Sequence, residues 1–181
     1  MHSGDIGCLD TDGYLTITGR IKELIVTAGG ENVPPLVIED AIKKELPCIS
    51  NAMVIGDQKN YLSCLLTLKV DADPETLEPK KELALVTTNW CKEVGAEGAK
   101  TIDDLLLDLN SKYYVKISEA IQHGIDRVND KATSNAQKIQ KWILLKTDFS
   151  ITGGELGPTQ KLKRYLVQSK YADSIKKLYC G

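Results

Sequence analysis

The chain has 181 residues, with 23 basic and 25 acidic side chains and a formal net charge of −2. Its apolar content of 42% with mixed charge is typical of a folded globular protein, and the length suits one domain or one domain with a small lobe. The near-neutral charge argues against a general nucleic-acid-binding surface, which usually needs an excess of basic residues. No apolar run approaches the roughly 20 residues that span a bilayer, and no basic region followed by an apolar core marks a signal peptide.

The cysteine and histidine content also excludes some classes of site. The five cysteines are odd in number and contain no CxxC pair, which indicates buried or incidental thiols in a reducing compartment. His2 and His123 are the only histidines of the sequence. We therefore expect neither a zinc site nor a Ser-His-Asp triad, and we predict no metal site in this chain.

The N-terminal part predicts a β-hairpin, a linking segment and a helix. Asp12-Gly13 stands between two runs of β-forming residues within residues 6–18, which is a strong hairpin signal. Residues 23–27 are expected to form a strand before a turn at Gly29-Gly30, because glycine permits turns that other residues resist. Pro34-Pro35 suits the first turn of a helix, where a missing N–H costs little.

The remainder predicts a small sheet with helices around it. Residues 51–70 contain two β-rich runs, of which the second is expected to be a central strand, and the polar residues 71–81 are predicted to be a loop. Three helices are predicted next: residues 82–94, a segment behind a capping-box variant at Thr101–Asp104, and about residues 112–132. A strand over residues 141–149, a glycine-rich loop over 150–159 and a last helix over 161–179 are predicted to follow. We therefore predict an α+β fold: a small N-terminal β-hairpin and a short mixed sheet of about three main strands flanked by helices, with a helical insertion over about residues 80–135.

Three short motifs, in the same order along the chain, resemble those of the adenylate-forming superfamily. That superfamily contains acyl-CoA synthetases, firefly luciferase and non-ribosomal-peptide adenylation domains. The motifs are Ser3-Gly4-Asp5, then Gly19-Arg20-Ile21-Lys22-Glu23 with Ala28-Gly29-Gly30-Glu31-Asn32-Val33-Pro34-Pro35, and finally Gly157-Pro158-Thr159-Gln160-Lys161-Leu162-Lys163-Arg164. The amino-acid sequences of these motifs are most similar to those of the long-chain fatty-acyl-CoA synthetases, in particular the bubblegum type.

The resemblance implies a role for residues of the first two motifs. Asp5 and Arg20 would bind the ribose of the nucleotide, because a carboxylate accepts hydrogen bonds from hydroxyls and a guanidinium donates to oxygens. Lys22 would be the hinge about which a small domain rotates between two half-reactions. Gly29 and Gly30 would line the tunnel for the pantetheine arm of coenzyme A. Taken singly, Asp5 is also compatible with an ordinary turn and the Gly-Gly pair with a plain hairpin.

The same resemblance implies that Lys161 is the catalytic lysine of the adenylation step. That step gathers negative charge at the α-phosphate of ATP, and a point charge on a long stem can reach it from another domain. Gln160 departs from the family pattern, which usually has glycine there. Lys163 is the alternative candidate, and both lysines are also compatible with solvated ends of a basic helix.

The implied activity is that of a long-chain fatty-acid–CoA ligase, which converts ATP, fatty acid and CoA to acyl-CoA, AMP and pyrophosphate. Residues 1–18 would end the large domain with the N-terminal β-hairpin, residues 19–30 would be the hinge and linking strand, and residues 31–181 would be the C-terminal lid domain. The family's phosphate-binding loop, rich in Ser, Thr and Gly and ending in Pro-Lys-Gly, has no counterpart in the sequence. The chain is therefore expected to be cut from a larger enzyme and to be inactive alone.

The expected ligands and partners follow from the division of such an enzyme into a large domain and a C-terminal lid. ATP or AMP and coenzyme A are the expected substrates, and Mg²⁺ is expected to accompany ATP while bound mainly outside this chain. The expected partner is the missing large N-terminal domain, which would bind the fatty acid; no nucleic acid and no transmembrane segment are expected. The location is expected to be cytoplasmic, or peripheral at the endoplasmic reticulum or another membrane. Two alternatives remain open: a non-catalytic binding or regulatory module of the same fold, and another adenylate-forming enzyme such as an aryl-CoA synthetase.

Overall fold

The computed structural model describes residues 4–180, apart from the side chain of Thr18, and its α+β class agrees with the prediction. The strands are β1 (Asp5–Leu9), β2 (Leu15–Arg20), β3 (Ile25–Val26), β4 (Asn32–Val33), β5 (Ile49–Ile55), β6 (Leu62–Leu68), β7 (Val70–Ala72), β8 (Pro79–Leu83) and β9 (Ile139–Leu144). The helices are α1 (Pro35–Glu45), α2 (Leu85–Glu93), α3 (Ile102–Leu106), α4 (Lys112–Asp130), α5 (Arg164–Lys170) and α6 (Ala172–Tyr179), with 3-10 turns at Ile21–Glu23 and Asn135–Gln137.

The central sheet has the order β5-β6-β9, with β6 antiparallel to β5 and parallel to β9. All residues of β6 are buried, which confirms the prediction of a central strand. Because side chains alternate across a strand, Cys64 and Leu66 pack into a core with helices α1 to α4, whereas Leu65 packs into a second core with α5 and α6. The C-terminal segment thus covers one face of the sheet and the helices of the middle of the chain cover the other.

Two short hairpins precede the central sheet. In the first, β1 and β2 pair antiparallel around a turn at Gly13, whose φ is +86°, and the Asp10 carboxylate accepts hydrogen bonds from the N–H groups of Asp12 at 3.0 Å and Tyr14 at 2.8 Å. The hairpin predicted from Asp12-Gly13 is confirmed. In the second, β3 and β4 pair antiparallel around the Gly29-Gly30 turn, and β3 is shorter than the strand predicted over residues 23–27.

Other predictions of local structure were partly wrong. Residues 71–81 are not simply a loop, because β7 and β8 pair antiparallel around a turn in which the Asp73 carboxylate accepts from the N–H groups of Glu75 and Thr76. Pro79 begins β8, a position where its missing N–H is tolerated. The helix predicted to reach Tyr179 is broken at Tyr171, which ends α5 and precedes α6.

The helical segment between β8 and β9 follows its sequence signals closely. Thr101 and Asp104 form the capping box of α3, since each side chain accepts a hydrogen bond from the backbone N–H of the other. The apolar stripe of α4 is buried at Ile117, Ile121 and Ile125, where it packs into the first core. No helix within residues 4–180 combines the length and the apolar character needed to cross a bilayer.

We expect Gly124→Ala to destabilise the protein, although alanine is the better helix former by about 1 kcal/mol. A methyl group at this position would lie 2.5 Å from Cδ2 and 2.7 Å from Cγ of the buried Leu46, and such overpacking costs about 1–3 kcal/mol of unfolding free energy. Chemical denaturation measures that loss. The control Glu119→Ala, on the exposed side of the same helix, should change the unfolding free energy by less than about 0.5 kcal/mol. If combining Gly124→Ala with Leu46→Ala gave a fully additive loss, the contact would not be the cause.

Candidate functional site

One groove brings together residues from both ends of the chain. Its volume is about 500 Å³, and Asp5, Arg20 and Lys161 all line it. Its remaining lining comes from the first hairpin, the 3-10 turn, α1, β5, the C-terminal loop and the start of α5: Ile17, Gly19, Glu23, Leu36, Glu39, Lys43, Asn51, Ala52, Gln160, Leu162 and Arg164. The structure thus places three of the six sequence-predicted site residues on one surface, more than 140 residues apart along the chain at the widest.

Asp5 and Arg20 face each other across the first hairpin. They are register partners of β1 and β2, and Arg20 Nε lies 3.4 Å from Asp5 Oδ1. About half of the Arg20 side chain and a third of the Asp5 side chain are exposed, so both groups can also reach a ligand in the groove. The pair offers acceptors and donors side by side, which is the requirement for binding vicinal hydroxyls. Ser3, the first residue of that motif, lies outside the described residues.

Lys161 lies on a short hairpin that we call the Lys161 hairpin, residues 156–162. Leu156 and Leu162 form an antiparallel bridge, and the Gly157 N–H donates to the Lys161 carbonyl at 2.8 Å. The Lys161 side chain is exposed and forms no salt bridge with the residues that the structure describes. Its ammonium group is therefore available to an anion in the groove. Lys163 is exposed as well, but it is not part of the groove lining.

Gln160 has a left-handed backbone conformation, with φ of +58°. Its N–H donates to the Gly157 carbonyl at 2.8 Å and so closes the turn before Lys161. Left-handed φ values favour glycine, which gives a local reason why glycine is usual at this position in the family that the motif resembles. In this chain the same turn is made by a residue with a side chain.

Arg164 is bound to a buried carboxylate that the sequence motifs did not reveal. Its Nη1 and Nη2 atoms each donate at 2.7 Å, to Oε1 and Oε2 of Glu39, and the Val54 N–H donates to Oε1 at 2.8 Å. Burial alone would lower the pKa of the Arg164 guanidinium, but the hydrogen bonds and charge of Glu39 outweigh it and the pKa is raised. The sequence did contain one signal for this pair: Glu39 stands beside Ile38 and Ile42 on the buried side of α1. A buried carboxylate needs a partner, so a basic residue could have been expected to bind it.

A second buried carboxylate, Glu155, fixes the glycine-rich loop that leads to the Lys161 hairpin. It accepts hydrogen bonds from Lys170 Nζ and the Tyr171 hydroxyl. Burial would raise the pKa of Glu155, but the hydrogen bond from Lys170 and those from backbone N–H groups outweigh it, and the pKa is lowered. A Cβ at Gly153 would lie 2.2 Å from Glu155 Oε2, so the loop needs glycine there to pass the carboxylate.

The other predicted residues do not line the groove. Lys22 is in the 3-10 turn Ile21–Glu23 and lines a neighbouring cavity of about 370 Å³, which shares Glu23, Leu162 and Arg164 with the groove. The Gly29-Gly30 turn is closed by the Gly30 N–H donating to the Thr27 carbonyl at 2.8 Å, and it is attached to the body by the Ala28 N–H donating to the Lys59 carbonyl at 2.9 Å. Neither glycine lines the groove. No group of three or more His, Cys, Asp or Glu residues within the described part of the chain could hold a metal ion.

Residues 22–92 match the family model described as the AMP-binding enzyme C-terminal domain. The matched residues contain the 3-10 turn with Lys22, the Gly29-Gly30 turn, α1 with Glu39, and the first two strands of the central sheet.

Curated relatives match over nearly the whole chain. It is 53% identical over 179 residues to the long-chain-fatty-acid–CoA ligase ACSBG2 of Xenopus laevis, and 51% identical over 179 residues to ACSBG1 of Homo sapiens. Each match covers 99% of this chain and 24% of the relative. The chain thus spans about a quarter of the length of the relatives it matches.

Solved structures share the fold at low sequence identity. The adenylation domain of a carboxylate reductase from Mycobacterium chelonae superposes with a TM-score of 0.66 and 19% identity, over 98% of this chain and 22% of that one. An adenylation-domain structure of a carboxylic acid reductase from Segniliparus rugosus in complex with AMP has a TM-score of 0.65 and 17% identity, over 98% of this chain and 20% of that one. These neighbours share the fold of this chain.

We expect Gln160→Gly to leave the unfolding free energy unchanged or to raise it by up to about 1 kcal/mol. A side chain at left-handed φ costs roughly 1–2 kcal/mol, and the greater freedom of glycine in the unfolded chain offsets about 0.5–1 kcal/mol of the gain. Gln160→Val should instead lower the unfolding free energy by about 1–2 kcal/mol, because a β-branched side chain resists this conformation. Chemical denaturation of both variants tests this, with Thr159→Val as the control. Equal losses for the two valine variants would show that the backbone conformation at residue 160 is not the cause.

Proposed function

We propose that this chain is the lid domain of a long-chain fatty-acid–CoA ligase, supplying the adenylation lysine and the CoA-tunnel turn. The observation that carries the proposal is the groove in which Asp5, Arg20 and Lys161 meet. The identity of about 50% to the ACSBG ligases supports the long-chain class of substrate. The share of 24% of each relative supports a role as one part of a larger enzyme, with the isolated chain inactive.

In the first half-reaction, a fatty-acid carboxylate attacks the α-phosphate of ATP and pyrophosphate leaves. Asp5 and Arg20 hold the ribose, and Lys161 places its ammonium where negative charge develops on the phosphorus oxygens. The exposed, unpaired state of Lys161 among the described residues supports this role, because no salt bridge has to break before it meets the substrate. Between the two lysines, the groove lining favours Lys161 over Lys163.

In the second half-reaction, the thiol of coenzyme A displaces AMP from the acyl-adenylate. The Gly29-Gly30 turn does not line the groove, so the proposal needs two placements of the lid, one that presents the groove and one that presents the turn. A rotation about Lys22 resolves this, because a few backbone torsions at the end of an element can absorb a domain movement. Gly29 has only Thr27 Oγ1 within 4 Å of a would-be Cβ, at 3.8 Å, and this open space is what the pantetheine arm would occupy.

The remaining parts of the reaction belong outside this chain. The missing large N-terminal domain would bind the fatty acid and most of the adenine, and Mg²⁺ would accompany ATP there. Residues 1–18 would end that large domain, residues 19–30 would form the hinge and linking strand, and residues 31–181 would be the lid with its helical insert over about 80–135. We place the enzyme in the cytoplasm, or peripherally at the endoplasmic reticulum or another membrane.

Joining this chain to the remaining part of the Xenopus laevis relative gives an enzyme in which the two half-reactions can be measured separately. We expect Lys161→Ala to lower fatty-acid-dependent pyrophosphate release by about 10²–10³-fold, since it removes a charge that stabilises the transition state. Conversion of preformed acyl-AMP to acyl-CoA should be largely spared.

Lys163→Ala is the matched control for Lys161→Ala and should leave both half-reactions near the wild-type rates. Loss of adenylation in Lys163→Ala but not in Lys161→Ala would overturn the assignment. A folded wild-type chimera that forms neither acyl-AMP nor acyl-CoA would overturn the proposed function and favour a non-catalytic module.

We expect Gly29→Leu to slow the conversion of acyl-AMP to acyl-CoA by about tenfold or more, equivalent to roughly 1.4 kcal/mol. The new side chain would fill the space proposed for the pantetheine arm, whereas pyrophosphate release should change by no more than about twofold, because the turn lies away from the groove. Ala172→Leu, which places the same side chain on the exposed side of α6, serves as the control. An equal reduction of both half-reactions by Gly29→Leu would contradict the tunnel assignment.

A further inference from the structure

We propose that Glu39 and Arg164 form a positioning clamp that holds the Lys161 hairpin over the groove. The proposal rests on the proposed function, in which Lys161 serves the adenylation step. Neither residue needs to touch the substrate for this role, since both act through the placement of Lys161.

The clamp connects three elements through one carboxylate. Glu39 projects from α1 with only 4% of its side chain exposed, and Arg164, at the start of α5, is 18% exposed. Arg164 occupies both carboxylate oxygens at 2.7 Å, and the Val54 N–H of β5 takes the remaining site on Oε1 at 2.8 Å. The guanidinium therefore has one fixed orientation relative to α1 and β5, because a two-bond fork restricts rotation as well as distance.

The other directional attachments of the Lys161 hairpin lead to the neighbouring glycine-rich loop, not to α1 or β5. The hydrogen bonds at Gly157 and Gln160 close the hairpin on itself, the Leu156 N–H donates to the Ser150 carbonyl at 3.1 Å, and the Lys163 N–H donates to the Glu155 carbonyl at 2.8 Å. Leu156 and Leu162 pack against the second core, but apolar contacts are not directional. Arg164 follows Lys161 by three residues, so the direction in which the hairpin enters α5 depends on where the guanidinium is held.

The charge arrangement assigns different tasks to Lys161 and Arg164, the two cations that the C-terminal part of the chain contributes to the groove. Arg164 is paired with Glu39, and its charge offsets a carboxylate that would otherwise repel a phosphate in the same groove. Lys161 has no salt bridge with the described residues, so its charge remains for the ligand. Arg164 is accordingly a positioning residue, and a direct contact between Arg164 and the nucleotide is the competing explanation.

Amide hydrogen exchange of this chain tests the clamp without any assay of activity. Arg164→Gln and Glu39→Gln should each speed exchange at the hydrogen-bonded N–H groups of Gly157, Gln160 and Lys163 by about tenfold or more, with β6 unchanged, because local opening is then easier than global unfolding. The double variant should show little more than either single variant, as expected for two residues of one interaction. Unchanged exchange at these three amides would overturn the proposal.

Two further variants separate the clamp from general effects on folding. The neutral pair Glu39→Leu with Arg164→Met leaves no buried charge without a partner and should fold, yet it should still show fast exchange at the Lys161 hairpin. Wild-type exchange in this pair would mean that only charge neutrality matters and would overturn the clamp. Glu45→Gln breaks another glutamate–arginine pair of α1, with Arg127, outside the groove, and it should leave exchange at the hairpin unchanged.

The chimeric enzyme adds a readout that a purely structural role would not move. Arg164→Gln and Glu39→Gln should both lower the rate of pyrophosphate release by about tenfold or more while sparing conversion of preformed acyl-AMP. If Arg164 contacted the nucleotide directly, Glu39→Gln would release its guanidinium and would not mimic Arg164→Gln. An equal reduction of both half-reactions would also overturn the clamp. An inactive wild-type chimera would count against the proposed function alone, because the exchange experiment still decides the clamp.

Discussion

The arrangement of the whole molecule depends on one strand, β6, being buried on both faces. A strand of this kind must be covered from both sides, since apolar side chains alternate between its faces. The helices α1 to α4 cover one face, and the C-terminal helices α5 and α6 cover the other. The last third of the chain is thereby folded back against β5 and β6, and this return brings Lys161 to the hairpin that contains Asp5 and Arg20.

The covering of β6 also explains why the groove and the Gly29-Gly30 turn are separate. The groove lies where the first hairpin, α1 and the Lys161 hairpin meet. The Gly29-Gly30 turn is attached instead to Lys59, in the connection between β5 and β6. The groove includes Asp5 and Arg20 of the first hairpin, whereas the Gly29-Gly30 turn follows the 3-10 turn at Ile21–Glu23. In the proposed rotation, this 3-10 turn is where the first hairpin and the rest of the chain would move relative to each other.

The sequence predicted those features whose causes are local. Asp12-Gly13, Pro34-Pro35 and the capping box of Thr101 and Asp104 each determine a turn or a helix start from neighbouring residues, and the stripe of α4 shows its buried face by spacing alone. The site residues were named from a motif resemblance, which also identified three that the fold brings to one groove. Their proposed roles await the experiments described above.

What the sequence did not predict depends on contacts between distant residues. Glu39 and Arg164 are 125 residues apart, and no local signal states which basic residue meets a glutamate on the buried side of a helix. The break between α5 and α6 is similar, because Tyr171 is held by a hydrogen bond to Glu155 and by its ring packing against Phe149. The hairpin of β7 and β8 was missed for another reason: its polar residues suggest a loop, and only the Asp73 turn organises them into a ladder.

Arg164 and Lys161 differ in the chemistry of their cationic groups, and this difference suits each to its proposed role. A guanidinium keeps its proton when buried and matches a carboxylate with two parallel bonds, so Arg164 can be enclosed with Glu39 at a fixed angle. An ammonium group on a flexible stem is strongly hydrated and makes a poorer fixed contact, but it can follow a phosphate oxygen as charge builds up. Under the proposed roles, exchanging the two residues would lose both properties: a lysine at 164 would not fix the hairpin in one orientation, and an arginine at 161 would replace the proposed movable point charge with a bulky planar group. Because Lys161 precedes Arg164 by only three residues, the pairing of Arg164 with Glu39 determines the position of the Lys161 backbone, from which the flexible side chain extends.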